Sequence, residues 1–226
     1  MKKQIVFIIG AAIIGFFLVF AACSDEIPED EVKLGTFYLG ETLNLSGQVY
    51  TKNRDSSYAG YIGARIAVSD GGESSGEIIN GKLNFTTEAP DLLLLKPVGE
   101  AFLEWDPQYN NFRYSDPEVL SCMLNLEINA PPYTRLAREL EKTTSYEWVE
   151  YIYVDRDITI TADGKTYTVT GDDFVYTTSN LSLDLLAGWN AVYYKDVKKL
   201  GTYTAAANRI LGNPPHLYLT LLRSID

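Results

Sequence analysis

The stretch Glu77-Ile78-Ile79-Asn80-Gly81-Lys82-Leu83-Asn84-Phe85 decides the fold class. Asn80-Gly81 is the pair that best tolerates the positive φ angles of a type I′ turn, and β-forming residues lie on both sides, so the segment reads as a β-hairpin. Upstream, Leu43, Leu45 and Val49 alternate with Asn44, Ser46, Gln48 and Tyr50, the period-two pattern of a half-buried strand. Downstream, Leu120, Cys122, Leu124, Leu126 and Ile128 alternate with Ser121, Met123, Asn125, Glu127 and Asn129. That predicts one strand, although Asp116-Pro117 also suits a helix start. Trp148, Ile152 and Val154 oppose Val149, Tyr151 and Tyr153, and bulk on both faces predicts a central strand whose apolar members are core.

Two more turn signals extend the pattern. Ile158 to Thr161 and Thr166 to Val169 flank Asp163-Gly164, predicting a second hairpin, and Leu181, Leu183 and Leu185 lead through Ala187-Gly188 into Trp189 to Tyr194, predicting a third. Leu92 to Leu95 is a short apolar run closed off by Pro97, and Ala101 to Trp105 is expected to pair with it or with a neighbour. Leu217, Leu219 and Leu221 form a closing strand. One segment has the other period. After Pro131-Pro132, residues Tyr133, Leu136, Ala137 and Leu140 fall at i, i+3, i+4 and i+7, predicting a short helix with Arg135, Arg138, Glu139 and Glu141 on its outer face. The expected fold is all-β: one or two β-sandwich modules, immunoglobulin-like or similar, with one short helix. The expected divisions are 1–22, a signal segment; 23–36, an acidic tether; and two β-rich parts, 37–130 and 131–226, with a single domain 37–226 as the alternative.

Composition narrows the function classes. The 226 residues are 46% hydrophobic and 12% aromatic, enough to offset chain entropy by burial over most of the length. With 19 basic and 30 acidic side chains the formal charge is -11, which repels phosphates, and no basic stripe interrupts it, so nucleic acid is not an expected partner.

The N-terminus reads as an address. A basic Met1-Lys2-Lys3-Gln4 precedes an uncharged apolar run from Ile5 to Ala22 and then Cys23, the layout of an export signal. The run also reaches the lower limit for a membrane-spanning helix. What separates the readings is Phe20-Ala21-Ala22-Cys23, which resembles the bacterial lipobox, with Phe20 where that family most often has Leu. The resemblance implies acylation of Cys23, cleavage before it, and attachment to a membrane through lipid, each buried methylene contributing roughly 0.8 kcal/mol. Ser24 to Val32 carries Asp25, Glu26, Glu29, Asp30 and Glu31 around Pro28, a hydrated spacer. Asp directly after the lipidated Cys resembles an inner-membrane retention signal of enterobacteria. Ser24 stands there instead, so the expected location is the outer membrane, facing the periplasm or the surface. The acidic stretch also resembles surface-export signals of Bacteroidota lipoproteins. With Cys23 acylated, Cys122 is the only free thiol, read as a buried apolar residue.

Ser46-Gly47-Gln48-Val49-Tyr50, Asn80-Gly81-Lys82-Leu83-Asn84-Phe85, Val149-Glu150-Tyr151-Ile152-Tyr153-Val154-Asp155 and Ala187-Gly188-Trp189-Asn190-Ala191-Val192 together resemble segments of spirochaete-type lipoproteins of unknown function. The resemblance implies an envelope lipoprotein and supplies no catalytic residue.

The chemistry-bearing residues are few. His216 is the one histidine, short of the two or more imidazoles of a histidine metal site, and no nucleophile-elbow motif accompanies it, so it reads as a strand-edge residue. Asp155-Arg156-Asp157 and Asp172-Asp173 lack the ligand spacing of an EF-hand and read as solvated turns. Glu104, Glu147 and Glu150 are the candidates for a carboxylate pair of the glycosidase kind. No cofactor, metal site or catalytic group is expected, and the chain is read as a binding or display protein and not an enzyme, with hydrolysis of envelope or extracellular polysaccharide as the alternative. Sixteen tyrosines exceed the nine phenylalanines, which suits a wet apolar surface. The densest place is Trp105 to Pro117, where Trp105, Tyr109, Phe112 and Tyr114 stand among amides and acids. These four fit no clean period and are expected on a surface loop that could contact a carbohydrate or protein ligand, although closing the core beneath the loop is the simpler explanation of them.

Overall fold

A computed structural model describes residues 35–51, 64–68, 74–100, 110–130, 133–142, 145–168, 175–199 and 204–223. The strands are β1 (Tyr38–Gly40), β2 (Leu43–Thr51), β3 (Ala64–Val68), β4 (Ser74–Ile79), β5 (Lys82–Thr87), β6 (Lys96–Pro97), β7 (Asn110–Tyr114), β8 (Leu120–Met123) and β9 (Leu126–Ala130). They continue as β10 (Tyr133–Glu141), β11 (Ser145–Val154), β12 (Ile158–Asp163), β13 (Thr166–Thr168), β14 (Val175–Thr178), β15 (Leu181–Leu185), β16 (Gly188–Lys199), β17 (Thr204–Leu211) and β18 (Tyr218–Arg223). The fold is all-β and sandwich-like.

Two architectures meet in it. The pairings β10–β18, β18–β2, β2–β5, β5–β4, β4–β3, β3–β9 and β9–β10 close a ring of strands. Residues opposite each other in register share a face, and the partners Leu45 and Phe85, Ile78 and Leu83, Val49 and Leu219, and Leu136 and Leu126 are all buried, so that face is the inside of the ring. Strand β10 then belongs to a second layer as well. It continues through β11, β16, β17, β14 and β13, and the three-stranded sheet β15-β12-β7 stacks on one face of that layer. The core between them contains Ile152 and Val154 of β11, Val192 and Tyr194 of β16, Ile158, Ile160 and Ala162 of β12, and Leu181, Leu183 and Leu185 of β15. Each of these large aliphatic side chains contributes about 1.5–3 kcal/mol of burial.

Several expectations hold in detail. The first hairpin is β4–β5, with φ of 50° at Asn80 and 76° at Gly81 as a type I′ turn requires. Strand β11 is central, paired with β10 on one side and β16 on the other. Ile152, Val154, Leu183 and Leu185 are buried, as is Cys122. Trp148 is only half-buried at the rim of the core. It stacks between Tyr146 and Tyr194 at centroid distances of 4.9 and 4.8 Å, and its indole N–H donates to Glu150. An indole nitrogen needs such a partner, which keeps it near the edge.

Other expectations are corrected. The helix after Pro131-Pro132 does not form: Tyr133–Glu141 is strand β10, because its backbone amides and carbonyls serve β11, β18 and β9, and tertiary pairing overrides helical spacing. The strand foreseen from Leu120 to Asn129 is two strands with different partners, β8 on β11 and β9 on β10 and β3, and the Leu124 amide donates to Tyr151 at the break. Leu92–Leu94 is a 3₁₀ turn capped by the Asp91 carboxylate, which accepts from the Leu93 amide, and Leu93 is 90% exposed. Ala101 to Trp105 lies outside the described residues.

The second and third hairpins are also rearranged. Strand β12 pairs with β15 and β7, while β13 pairs with β14. Gly164 is needed for a close approach and not for a hairpin turn, since a Cβ there would lie 2.2 Å from the Thr178 carbonyl oxygen. Ala187-Gly188 is a corner that carries the chain from the three-stranded sheet into the large one. Buried Asn190 holds it, accepting from the Leu186 amide and donating to the carbonyls of Leu186 and Gly188, while Asp157 accepts from the Ala187 amide.

Candidate functional site

Of the aromatic segment, Phe112 and Tyr114 fall within the described residues, whereas Trp105, Tyr109 and Cys23 fall outside them. Phe112 and Tyr114 are not on a surface loop. They lie on β7, two residues apart on one face, half-buried against the core between the layers, with rings 6.2 Å apart and near parallel. Arg113 points the other way and pairs with Asp163 at 2.8 Å. The period was hidden by Asn111, whose φ of 52° accompanies a register shift against β12.

The layer's opposite face carries polar groups. Along β11, Glu147, Val149 and Tyr151 alternate with Trp148, Glu150 and Ile152, so Glu147 and Glu150 leave the strand on opposite sides and do not converge as a carboxylate pair. Glu104 lies outside the described residues, as do Asp172 and Asp173. The Glu147 side chain is 3% exposed and accepts from the Tyr193 hydroxyl at 2.8 Å, from His216 Nε2 at 2.7 Å and from Lys142 Nζ at 3.4 Å. Burial alone pushes this carboxyl up, but the His216 and Tyr193 hydrogen bonds and the Lys142 charge outweigh it and hold Glu147 below the ordinary glutamate range. The Tyr193 phenol is pushed strongly up by burial and by the carboxylate it serves. His216 is therefore an internal clasp between the segment before β18 and β11, a role its sequence position did not announce.

Next to this clasp a pocket of about 370 Å³ opens between β2 and the segment from Asn213 to Leu219. Its polar lining includes Asn44, Ser46, Gln48, Arg138, Tyr151 and Asn213. The helical reading put Arg138 on an outer face. In β10 it is instead the register partner of Leu219 and Val149, on the side that faces the ring interior and Tyr151. Its Nη1 donates to Asn213 Oδ1 at 2.5 Å and its Nη2 to the Pro214 carbonyl at 2.9 Å, and among the described residues no carboxylate pairs with it. The period-two series Leu136, Arg138, Leu140 was the signal that finds it. Tyr151 is 5% exposed, and its hydroxyl lies against the Arg138 guanidinium with no protein acceptor for its own hydrogen. Burial pushes that phenol up, while neighbouring Arg138 pulls it down. Tyr50 and Tyr218 meet edge to face at 5.2 Å, and both line the pocket.

Comparison with protein-family models finds no match to this chain, and comparison with curated proteins and with solved structures finds none either.

Proposed function

We propose that this chain is a bacterial envelope lipoprotein, held to the outer membrane through lipid on Cys23 and a short acidic tether, that binds a ligand with its folded part. The lipobox-like Phe20-Ala21-Ala22-Cys23 supports the anchor. The observation that carries binding is the pocket of about 370 Å³ beside β2, whose lining includes Arg138, a half-buried guanidinium that no carboxylate among the described residues pairs with. Holding a cation partly out of water with only neutral acceptors around it costs stability, so its retention is explained by something it receives. The divergence of Glu147 and Glu150, and the engagement of Glu147 by three neighbours, weigh for binding over hydrolysis. The anchor is tested by growing the producing bacterium with a clickable fatty acid. The wild-type chain should take up label and sediment with membranes, and Cys23→Ala should lose both properties. A labelled Cys23→Ala protein would refute the anchor.

A further inference from the structure

We infer that Leu92, Leu93 and Leu94 form a membrane-inserting knuckle that seats the folded part on a zwitterionic lipid surface. The inference rests on the envelope-lipoprotein reading above and goes beyond it, because a tether alone leaves the orientation of the folded part free. The three leucines are 61%, 90% and 46% exposed, in one unbroken run. Single exposed leucines are ordinary, but three in succession hold apolar area in water with nothing gained in the monomer. Nor is the run a slack loop. Asp91 caps it by accepting from the Leu93 amide at 3.0 Å, the Leu94 amide donates to the Asp91 carbonyl at 2.9 Å, and the Leu95 amide donates to the Leu92 carbonyl at 3.4 Å. Buried Pro90 and Leu95 fasten both ends to the fold, so side chains that a free segment would turn inward are held outward.

The place where the chain enters the fold favours a bilayer as the occupant. In β1, Gly40 pairs with Trp189, and the Trp189 indole donates to the Glu88 carbonyl at 3.3 Å. The Thr42 hydroxyl, just before β2, donates to the Glu88 carboxylate at 2.7 Å. Glu88 stands four residues before Leu92, so the entering chain and the knuckle share one end of the fold. Cys23 is a dozen residues ahead of Gly35, a span of at most about 40 Å when extended, so lipid on Cys23 keeps that end within reach of a membrane. A protein partner of standard size would need a face of about 20–30 residues, far more than this knuckle presents. Three leucines suit instead the boundary between headgroups and acyl chains, where apolar side chains sink roughly 5–10 Å. Glu88, Asp91 and Lys96 are exposed on either side of the run along the chain and stay hydrated at headgroup level. The formal charge of -11 opposes an anionic surface, which leaves zwitterionic phospholipid as the matching chemistry.

The experiment reconstitutes the full chain into phosphatidylcholine vesicles whose acyl chains are plain or brominated, since bromine quenches a tryptophan that enters the hydrocarbon. Leu93→Trp supplies the probe, and wild type, with Trp105, Trp148 and Trp189, supplies the background to subtract. Ile79→Trp is the control, because Ile79 is 45% exposed beside the Asn80-Gly81 turn, at the opposite end of β5 from the knuckle. Brominated lipid should quench the Leu93→Trp probe at least about threefold more than the Ile79→Trp probe. Adding Leu92→Ser and Leu94→Ser to Leu93→Trp should cut that quenching by about half or more while the melting temperature stays level, since both side chains are exposed. Equal quenching at the two positions overturns the inference and leaves a protein as the occupant of the knuckle. Quenching that survives both serine changes overturns it too. The fatty-acid label reads out separately: a labelled protein whose Leu93→Trp probe escapes quenching keeps the anchor and loses the knuckle contact, and an unlabelled one whose probe is quenched does the reverse.

Discussion

The two faces of β11 bury the same strand by different means. On one face Ile152 and Val154 press into an aliphatic layer with Ile160, Leu183 and Leu185. On the other, Glu147 sits among Tyr193, His216 and Lys142, and Tyr151 lies beside Arg138. Apolar packing is tolerant of direction, and any well-fitting neighbour satisfies it. The polar face is not tolerant: each donor needs its own acceptor, so it fixes where the segment before β18 lies. Stability is concentrated on the first face and positional definition on the second.

Breaking the apolar face should have the largest effect. Ile152→Ala should cost about 2–5 kcal/mol in chemical denaturation, because a fully buried side chain between two layers leaves a cavity that paired strands cannot collapse to fill. A loss below about 1 kcal/mol would mean that the layers are not packed as described. Perturbing the polar face should cost less and depend on pH. Glu147→Gln should lose about 1–3 kcal/mol near neutrality, since the amide is a weaker acceptor for Tyr193 and His216. Because the folded-state pKa of Glu147 is lowered, its contribution is present above the ordinary glutamate range near pH 4.3 and is lost as pH falls through the lower folded value. The gap in melting temperature between wild type and Glu147→Gln should therefore narrow from pH 7 to pH 3, and a constant gap would remove the carboxylate from the account. The smallest effect is expected from the surface pair. Arg113→Ala breaks an ion pair to Asp163 that water already screens, so the melting temperature should stay within experimental error of wild type.

How legible all this was depended on what each pattern needed to know. Asn80-Gly81 is a local signal, complete within a few residues, and the hairpin it specifies is present. The alternation of β11 was legible because both faces carry bulk. Asp163-Gly164 and Ala187-Gly188 were read as hairpins because a glycine permits a turn, but where the following strand goes depends on Thr178 and Asn190, contacts that no window contains. Residues Tyr133 to Glu141 satisfy a helical period and a strand period at once. Choosing the helix turned Arg138 outward and concealed the pocket, which also draws on β2 and β18, segments distant in sequence. The His216–Glu147 contact was hidden for the same reason.

The closed ring has a kinetic consequence. Its parallel seam joins β2 to β18, so that Val49 meets Leu219 across most of the chain. A seam of such high contact order forms late, after the intervening strands have found their partners, and it cannot form at all until the segment Tyr218–Arg223 has been synthesised. Until then the edges of β2 and β10 that face β18 lack their mates, and a chain held in that state exposes strands able to pair with other chains. For a protein exported unfolded, as the proposed lipoprotein would be, this delay is an advantage: the topology itself keeps the ring open until β18 is available to close it.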